Sequence, residues 1–138
     1  MTEPVLLDTC ACLWLSHGDT MSEASRRAIR EAQLGSAGVH VSPITAWEVA
    51  MLVAKGRYRL SVSPKVWLGR LLGLSGVRLA GLTTHILIDS ASLPGDPPND
   101  PADRIIAATA RQYGHLVITR DSGLIPYGAQ GHLKVLAC

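Results

Sequence analysis

Short β-branched apolar segments alternate with longer helical stretches along this chain, and that alternation constrains the fold more than any other feature. Val5-Leu6-Leu7, Val39-His40-Val41, Val77-Arg78-Leu79, Leu116-Val117-Ile118 and Leu133-Lys134-Val135-Leu136 read as strands. Between them residues 10–16, 22–34, 44–55, 64–74, 84–92 and 101–113 read as helices, most bounded by Ser, Asp, Gly or Pro. Buried strands separated by helices require right-handed crossovers, which place a parallel sheet between two helical layers. The expectation is an α/β fold with three layers, α/β/α, around a short, mainly parallel sheet. The 138 residues suit one domain, 1–138, on a scale of roughly 100–200 residues per domain. No segment repeats, and Pro94-Gly95-Asp96-Pro97-Pro98-Asn99-Asp100-Pro101 reads as an irregular loop before a helix rather than a linker.

Composition narrows the function classes. Lys plus Arg number 13 against 11 Asp plus Glu, a net charge of +2, so no overall basic surplus steers nucleic acid to the molecule and any such contact must come from local patches. Three Trp, three Tyr and no Phe leave too few rings for a surface of stacking platforms. Apolar runs are broken by Gly, Arg or Ser well short of the roughly 18 residues a membrane span needs, and Glu3 and Pro4 stand where a signal peptide carries basic residues. Cys10 and Cys12 are too close for a disulfide and Cys138 is terminal, which fits a reducing compartment. The expected location is the cytoplasm, with no membrane contact.

In an open α/β sheet ligands bind beyond the carboxyl ends of the strands, and acids collect there. Asp8 directly follows Val5-Leu6-Leu7, and Asp121 follows Val117-Ile118-Thr119-Arg120. Each is also open to a plainer reading, Asp8 as the N-cap of the next helix and Asp121 as the start of a turn through Ser122 and Gly123. Glu48 has Ile44, Met51 and Leu52 at helical spacing and Trp47 adjacent, so it is expected on the buried stripe of its helix, where a carboxylate is costly unless something pairs with it. The competing account is a salt bridge to an arginine. Asp100-Pro101-Ala102-Asp103 opens the late helix: Asp100 reads mainly as its cap, whereas Asp103 shares a face with Ile106, Ala107 and Ala110 and is expected to project inward. Several inward carboxylates repel one another and raise their own pKa values unless a cation neutralises them. Oxygen ligands without a His or Cys cluster favour Mg²⁺ or Mn²⁺ over Zn²⁺ or copper. His17, His40, His85, His115 and His132 show no ligand spacing.

With these residues in place the chain resembles the PIN-domain ribonucleases of the VapC toxin type. The resemblance covers nearly the whole chain and rests on Leu6-Leu7-Asp8-Thr9 with Trp14-Leu15, Ser42-Pro43-Ile44-Thr45-Ala46-Trp47-Glu48-Val49-Ala50, the Lys55-Gly56-Arg57 turn, Leu93-Pro94-Gly95-Asp96, Asp100-Pro101-Ala102-Asp103-Arg104 and Thr119-Arg120-Asp121. Single pieces are weak patterns; their order and spacing are specific. The resemblance implies a PIN-like fold whose acids, here Asp8, Glu48, Asp103 and Asp121 with Asp100 an occasional fifth, bind Mg²⁺ or Mn²⁺ and cut RNA by metal-assisted hydrolysis of the phosphodiester. It places Thr9 and Thr119 as hydroxyls beside the acids and Arg104 as the basic residue after the third. Relatives often carry a His two residues before the acid matching Asp100; this chain has Pro98.

Toxins that this chain resembles form homodimers and are held inactive by a small antitoxin, through which the pair binds operator DNA. An apolar docking surface of Trp14, Leu15, Trp47, Met51, Leu52 and Val53 is one expectation, core packing of the same residues the other. RNA affinity is expected from Arg26, Arg27 and Arg30 on one helix and Lys55, Arg57 and Arg59 on a turn; a merely solvated helix face is the plainer account. The chief rival function is a non-catalytic PIN-like module that binds RNA or protein, against which the four acids argue. An aspartyl-phosphate phosphatase needs a second Asp where Cys10 stands, a receiver domain needs a late Lys after a strand where Lys134 lies inside one, and flap-type DNA nucleases are much longer.

Overall fold

Five strands form where the β-branched segments lie, and they pair into one sheet that is parallel throughout. The computed structural model describes residues 3–138. In chain order the elements are β1 (Val5–Leu7), α1 (Thr9–His17), α2 (Glu23–Leu34), β2 (Val39–Val41), α3 (Pro43–Ala54), α4 (Pro64–Leu72), β3 (Val77–Leu79), α5 (Thr84–Ser90), α6 (Pro101–Tyr113), β4 (Leu116–Thr119), α7 (Leu124–Ala129) and β5 (Lys134–Ala137). The strand order is β3-β2-β1-β4-β5. The chain therefore builds outward from β1 to one edge, then returns to lay β4 and β5 on its other side. That reversal makes the β1/β4 boundary a topological switch point, where crossovers leave in opposite directions and a crevice opens beyond the strand ends.

Side chains of a strand alternate between faces, and both faces of this sheet are covered. Val5 and Leu7 of β1, Val39 and Val41 of β2 and Ile118 of β4 pack with Cys12, Leu13, Ile29, Trp67 and Leu71 from α1, α2 and α4. Leu6 and Val117 point the other way and pack with Ile106, Ala107 and Ala110 of α6 and Leu124 and Tyr127 of α7. Leu6 and Leu7 are fully buried, and burial of a leucine contributes roughly 1.5–3 kcal/mol. Helix α3 touches α1, α4 and α6.

The turn expected from Asp121 through Ser122 and Gly123 forms, and a helix not expected from the sequence, Leu124–Ala129, follows it, with Pro126 in its first turn, where a missing N–H costs nothing. Glu48 is half-buried beside the buried Thr45 and Val49 of α3, but the apolar stripe expected around it is incomplete, because Trp47 and Met51 are exposed. Of the expected apolar docking residues, Trp14, Leu15 and Val53 pack against the core. Trp47, at 56% exposure, and Met51 are left on the surface of α3. No described helix is long and apolar enough to cross a membrane.

Candidate functional site

Register brings the first pair of acids together. Leu7 of β1 stands opposite Ile118 of β4, and the Asp8 N–H continues the ladder to the Ile118 carbonyl at 3.2 Å. The next residue of β4 is Thr119, and its hydroxyl donates to Asp8 Oδ2. Asp8 Oδ1 accepts the N–H of Ala11 at 2.8 Å and so caps α1. Two residues past Thr119, the N–H of Asp121 donates back to the Thr119 hydroxyl at 2.8 Å. Asp121 Oδ2 accepts the N–H groups of Gly123 and Leu124 at 2.8 and 2.9 Å, which fixes the start of α7. Asp8 and Asp121 thus flank the switch point, tied through one buried threonine.

The second pair comes from helices. Ser42 caps α3 directly after β2, so the helix starts at the same end of the sheet. Glu48 Oε1 accepts the hydroxyl of Thr9, the first residue of α1, at 2.5 Å. The same Thr9 oxygen lies 3.2 Å from the hydroxyl of Thr45, which is fully buried. Asp100 caps α6 by accepting from the N–H groups of Ala102 at 2.8 Å and Asp103 at 3.2 Å, and Asp103 sits in the first turn beside buried Ala102, Ile106 and Ala107. The loop leading to Asp100 is pinned to α7 and the segment after it: the Tyr127 hydroxyl donates to the Pro94 carbonyl at 2.7 Å, and the Asp96 N–H to Gln130 Oε1 at 2.9 Å.

Electrostatics show that the four acids share one region. Burial first, and then the charges of Asp121, Asp100, Glu48 and Asp8, together push Asp103 up to about 8. Burial raises Glu48 against the opposing Thr9 hydrogen bond, with Asp100, Asp8 and Asp121 adding to the rise. Burial also raises Asp8, with bonds from Thr119 and Ala11 opposing it and Asp121 adding to it. None of these acids has a basic partner: the one ion pair among the described residues joins Lys134 to Glu3. A salt bridge from an arginine to Glu48 is therefore absent among the described residues. A cluster of oxygen donors with mutual repulsion and no counter-charge is the chemistry a hard divalent cation fits. As they stand, no three His, Cys, Asp or Glu side chains among the described residues are drawn together tightly enough to hold such an ion.

Other expected residues lie apart from the acids. Arg104 donates to the Ser90 carbonyl at 3.4 Å. Arg26, Arg27 and Arg30 line one exposed surface of α2 together with Glu23, and Lys55, Arg57 and Arg59 are exposed after α3. Pro98 is buried against Gly123. Two residues escaped sequence reasoning. Cys10 lies within the field of all four acids, which together with burial push its thiol up to about 11; its place two residues after Asp8 was the available signal. Thr45 reaches the site only through Thr9, a contact 36 residues apart in sequence.

Comparison with known proteins agrees with this geometry. A family model for the PIN domain matches residues 5–128, and the chain belongs to the PIN-domain family. It is 34% identical over 121 residues to Ribonuclease VapC22 of Mycobacterium tuberculosis (strain ATCC 25618 / H37Rv), covering 87% of this chain and 88% of that protein. The crystal structure of VapBC2 from Rickettsia felis bound to a DNA fragment from their promoter superposes with a TM-score of 0.69 at 13% identity, over 96% of this chain and 97% of that one. FitAcB from Neisseria gonorrhoeae gives 0.53 at 24% identity over 96% of each chain. At these identities the two structures speak for the fold alone.

Proposed function

We propose that this chain, acting as one PIN domain over residues 1–138, is a divalent-metal-dependent endoribonuclease and the toxin of a toxin–antitoxin pair. The observation that carries the proposal is the gathering of Asp8, Glu48, Asp103 and Asp121 at one end of the sheet with no basic side chain paired to them among the described residues, each raising or raised by the charge of another. The relationship to a VapC ribonuclease over most of both chains supports the choice of RNA as substrate. These four carboxylates would hold Mg²⁺ or Mn²⁺, with Asp100 at the mouth of α6 adding negative charge. An ion held there would supply the Lewis-acid chemistry for hydrolysis of a phosphodiester. The chain's own part is to orient: Thr119 holds Asp8, Thr9 holds Glu48, and the start of α7 holds Asp121. Arg104, which follows Asp103 and donates to the Ser90 carbonyl, would support the site from outside the acid cluster.

Arg26, Arg27, Arg30, Lys55, Arg57 and Arg59, all exposed and none in an ion pair among the described residues, would neutralise phosphates of the RNA. A cognate antitoxin, a homodimeric state, DNA contact only through the antitoxin and a cytoplasmic location complete the proposal; the VapBC and FitAcB structures support the first. A non-catalytic PIN-like module that binds RNA or protein is the second reading, favoured by the acids not being drawn into a finished ligand set. Digestion of total RNA with Mg²⁺ or Mn²⁺, with and without chelator, decides. Discrete cut ends that vanish with chelator are expected; intact RNA under every condition leaves the non-catalytic module.

A further inference from the structure

Two of the acids are held by threonines, and the two threonines are supplied with hydrogen bonds differently. Thr119 donates to Asp8 and accepts the backbone N–H of Asp121. Thr9 donates to Glu48 Oε1, and its other neighbour is the Thr45 hydroxyl at 3.2 Å. An ionised carboxylate only accepts, and a hydroxyl carries one proton. The proton of Thr9 is therefore committed to Glu48, and the Thr9–Thr45 bond can be made only with Thr45 as donor. Thr45 has no other hydrogen-bonding partner for its hydroxyl among the described residues and is fully buried. Its direction is thus set by Thr9 alone. A donor that is itself accepting a hydrogen bond is a stronger donor, and a chain of such bonds fixes geometry better than its links alone.

We propose that Thr45 is a positioning residue of the acid cluster: its buried hydroxyl, acting through Thr9, holds the Glu48 carboxylate in the orientation that receives a divalent cation. This rests on the reading of the acids as a cation site. Thr45 stands one turn before Glu48 on α3, and Thr9 is the first residue of α1, so the relay locks two helices as well as one side chain. For Asp8 the corresponding upstream donor is the backbone amide of Asp121, which only a proline would remove; for Glu48 it is a side chain.

The test is Mn²⁺ binding to the full chain, with free Mn²⁺ read by electron paramagnetic resonance, alongside a thermal melt of each variant. Thr45→Val keeps the volume and removes the hydroxyl; it is expected to weaken Mn²⁺ binding about 3- to 10-fold, the effect of one ordinary hydrogen bond acting through a second residue. Thr45→Ser is expected to restore the wild-type affinity. Because Thr45 acts through Thr9, Thr9→Val with Thr45→Val should bind no more weakly than Thr9→Val alone. If Thr45→Val loses its cooperative melt, Thr45→Ala carries the same expectation. Wild-type affinity in Thr45→Val, or losses from Thr9→Val and Thr45→Val that multiply, overturns the proposal. Glu48→Gln separates the two levels: affinity unchanged in that variant removes the cation reading and Thr45's role with it, whereas a loss there with Thr45→Val unaffected removes the role of Thr45 alone.

Discussion

Asp121 spends a single carboxylate oxygen, Oδ2, on the N–H groups of Gly123 and Leu124, at 2.8 and 2.9 Å, whereas Asp8 spends both of its oxygens, one on Ala11 and one on Thr119. The difference separates structure from chemistry at the two positions. In Asp121→Asn the amide oxygen can accept both local bonds, and Asn caps as well as Asp, so the melt should stay close to wild type while RNA cleavage is lost. In Asp8→Asn one oxygen is replaced by a donor facing the Thr119 hydroxyl, so the same loss of cleavage should come with a lower melting temperature, by about 1 kcal/mol of stability. Asp121→Ala, which removes the cap altogether, should cost about 0.5–2 kcal/mol. Cleavage assays and thermal melts on the three variants check this; full activity in Asp121→Asn sinks the site assignment.

The metal-free protein should lose stability as the pH rises towards 8. Asp103 has an ordinary carboxyl value near 3.8 when unfolded and about 8 when folded, because of burial and then its acidic neighbours. Between those values the folded chain holds a proton that the unfolded chain has released, so the stability is fully present below about 4 and drains away as the pH passes about 8. His115 acts in the opposite sense: burial, with His40 and Lys134, depresses it from 6.5 to about 4, so it withdraws stability as the pH falls below 6.5. The window from pH 6.5 to about 8 isolates the acids. There the melting temperature should fall, Asp103→Asn should flatten the slope, and saturating Mg²⁺ should offset it by supplying the missing charge. A melting temperature that rises across this window in the absence of metal contradicts the account.

Much of the fold was readable because the strands are short β-branched runs and the helices carry caps that act locally, such as Asp100 with Pro101 before α6 and Gly114, at φ 70°, after it. Helix α7 was not readable, since Pro126 and Gly128 are poor helix interior residues and only the Asp121 bonds to Gly123 and Leu124 and the burial of Leu124 and Tyr127 select it. The orientation of α3 was misread for a different reason. Its sequence is apolar on nearly every side, so period alone cannot choose the buried face, and contacts with α1, α4 and α6 choose Thr45 and Val49 instead. Acids at strand ends could be picked out one by one from local pattern. That Thr9 and Thr45 stand behind Glu48 depends on packing between helices distant in sequence, which no local pattern encodes.

Gly123 should tolerate no side chain, although its φ of −92° is open to any residue. The limit is space: a Cβ there would lie 2.9 Å from Cβ of Pro98 and 3.0 Å from Oδ2 of Asp121. Pro98 is buried and Asp121 is held by two backbone bonds, so neither yields easily. Gly123→Ala should therefore cost about 1–3 kcal/mol, in the range of overpacking, and should reduce RNA cleavage by displacing the Asp121 carboxylate. Pairing it with Pro98→Gly removes the Pro98 Cβ, one of the two clashing atoms, and should relieve part of the overpacking. A wild-type melt and rate for Gly123→Ala would show that the loop yields freely.

RNA binding should carry a salt dependence that names its arginines. Arg26, Arg27 and Arg30 are exposed on α2, whose first turn is tied to the end of β5 by Ser22 and Ser25 reaching the Ala137 carbonyl at 3.3 Å. That fixes the start of the helix at the same end of the sheet as the acids. For single-stranded RNA the slope of log affinity against log salt is about −0.7 per neutralised phosphate, so loss of three contacts should flatten it by about 2. The measurement is fluorescence anisotropy of a labelled single-stranded RNA on the Asp121→Asn protein, which does not cut, with and without Glu at positions 26, 27 and 30. Lys55, Arg57 and Arg59, reversed as a second set, should flatten the slope independently if both patches touch the same strand. A slope that does not change in the first set makes these arginines the solvated face of an amphipathic helix, and the RNA must then reach the acids by another route.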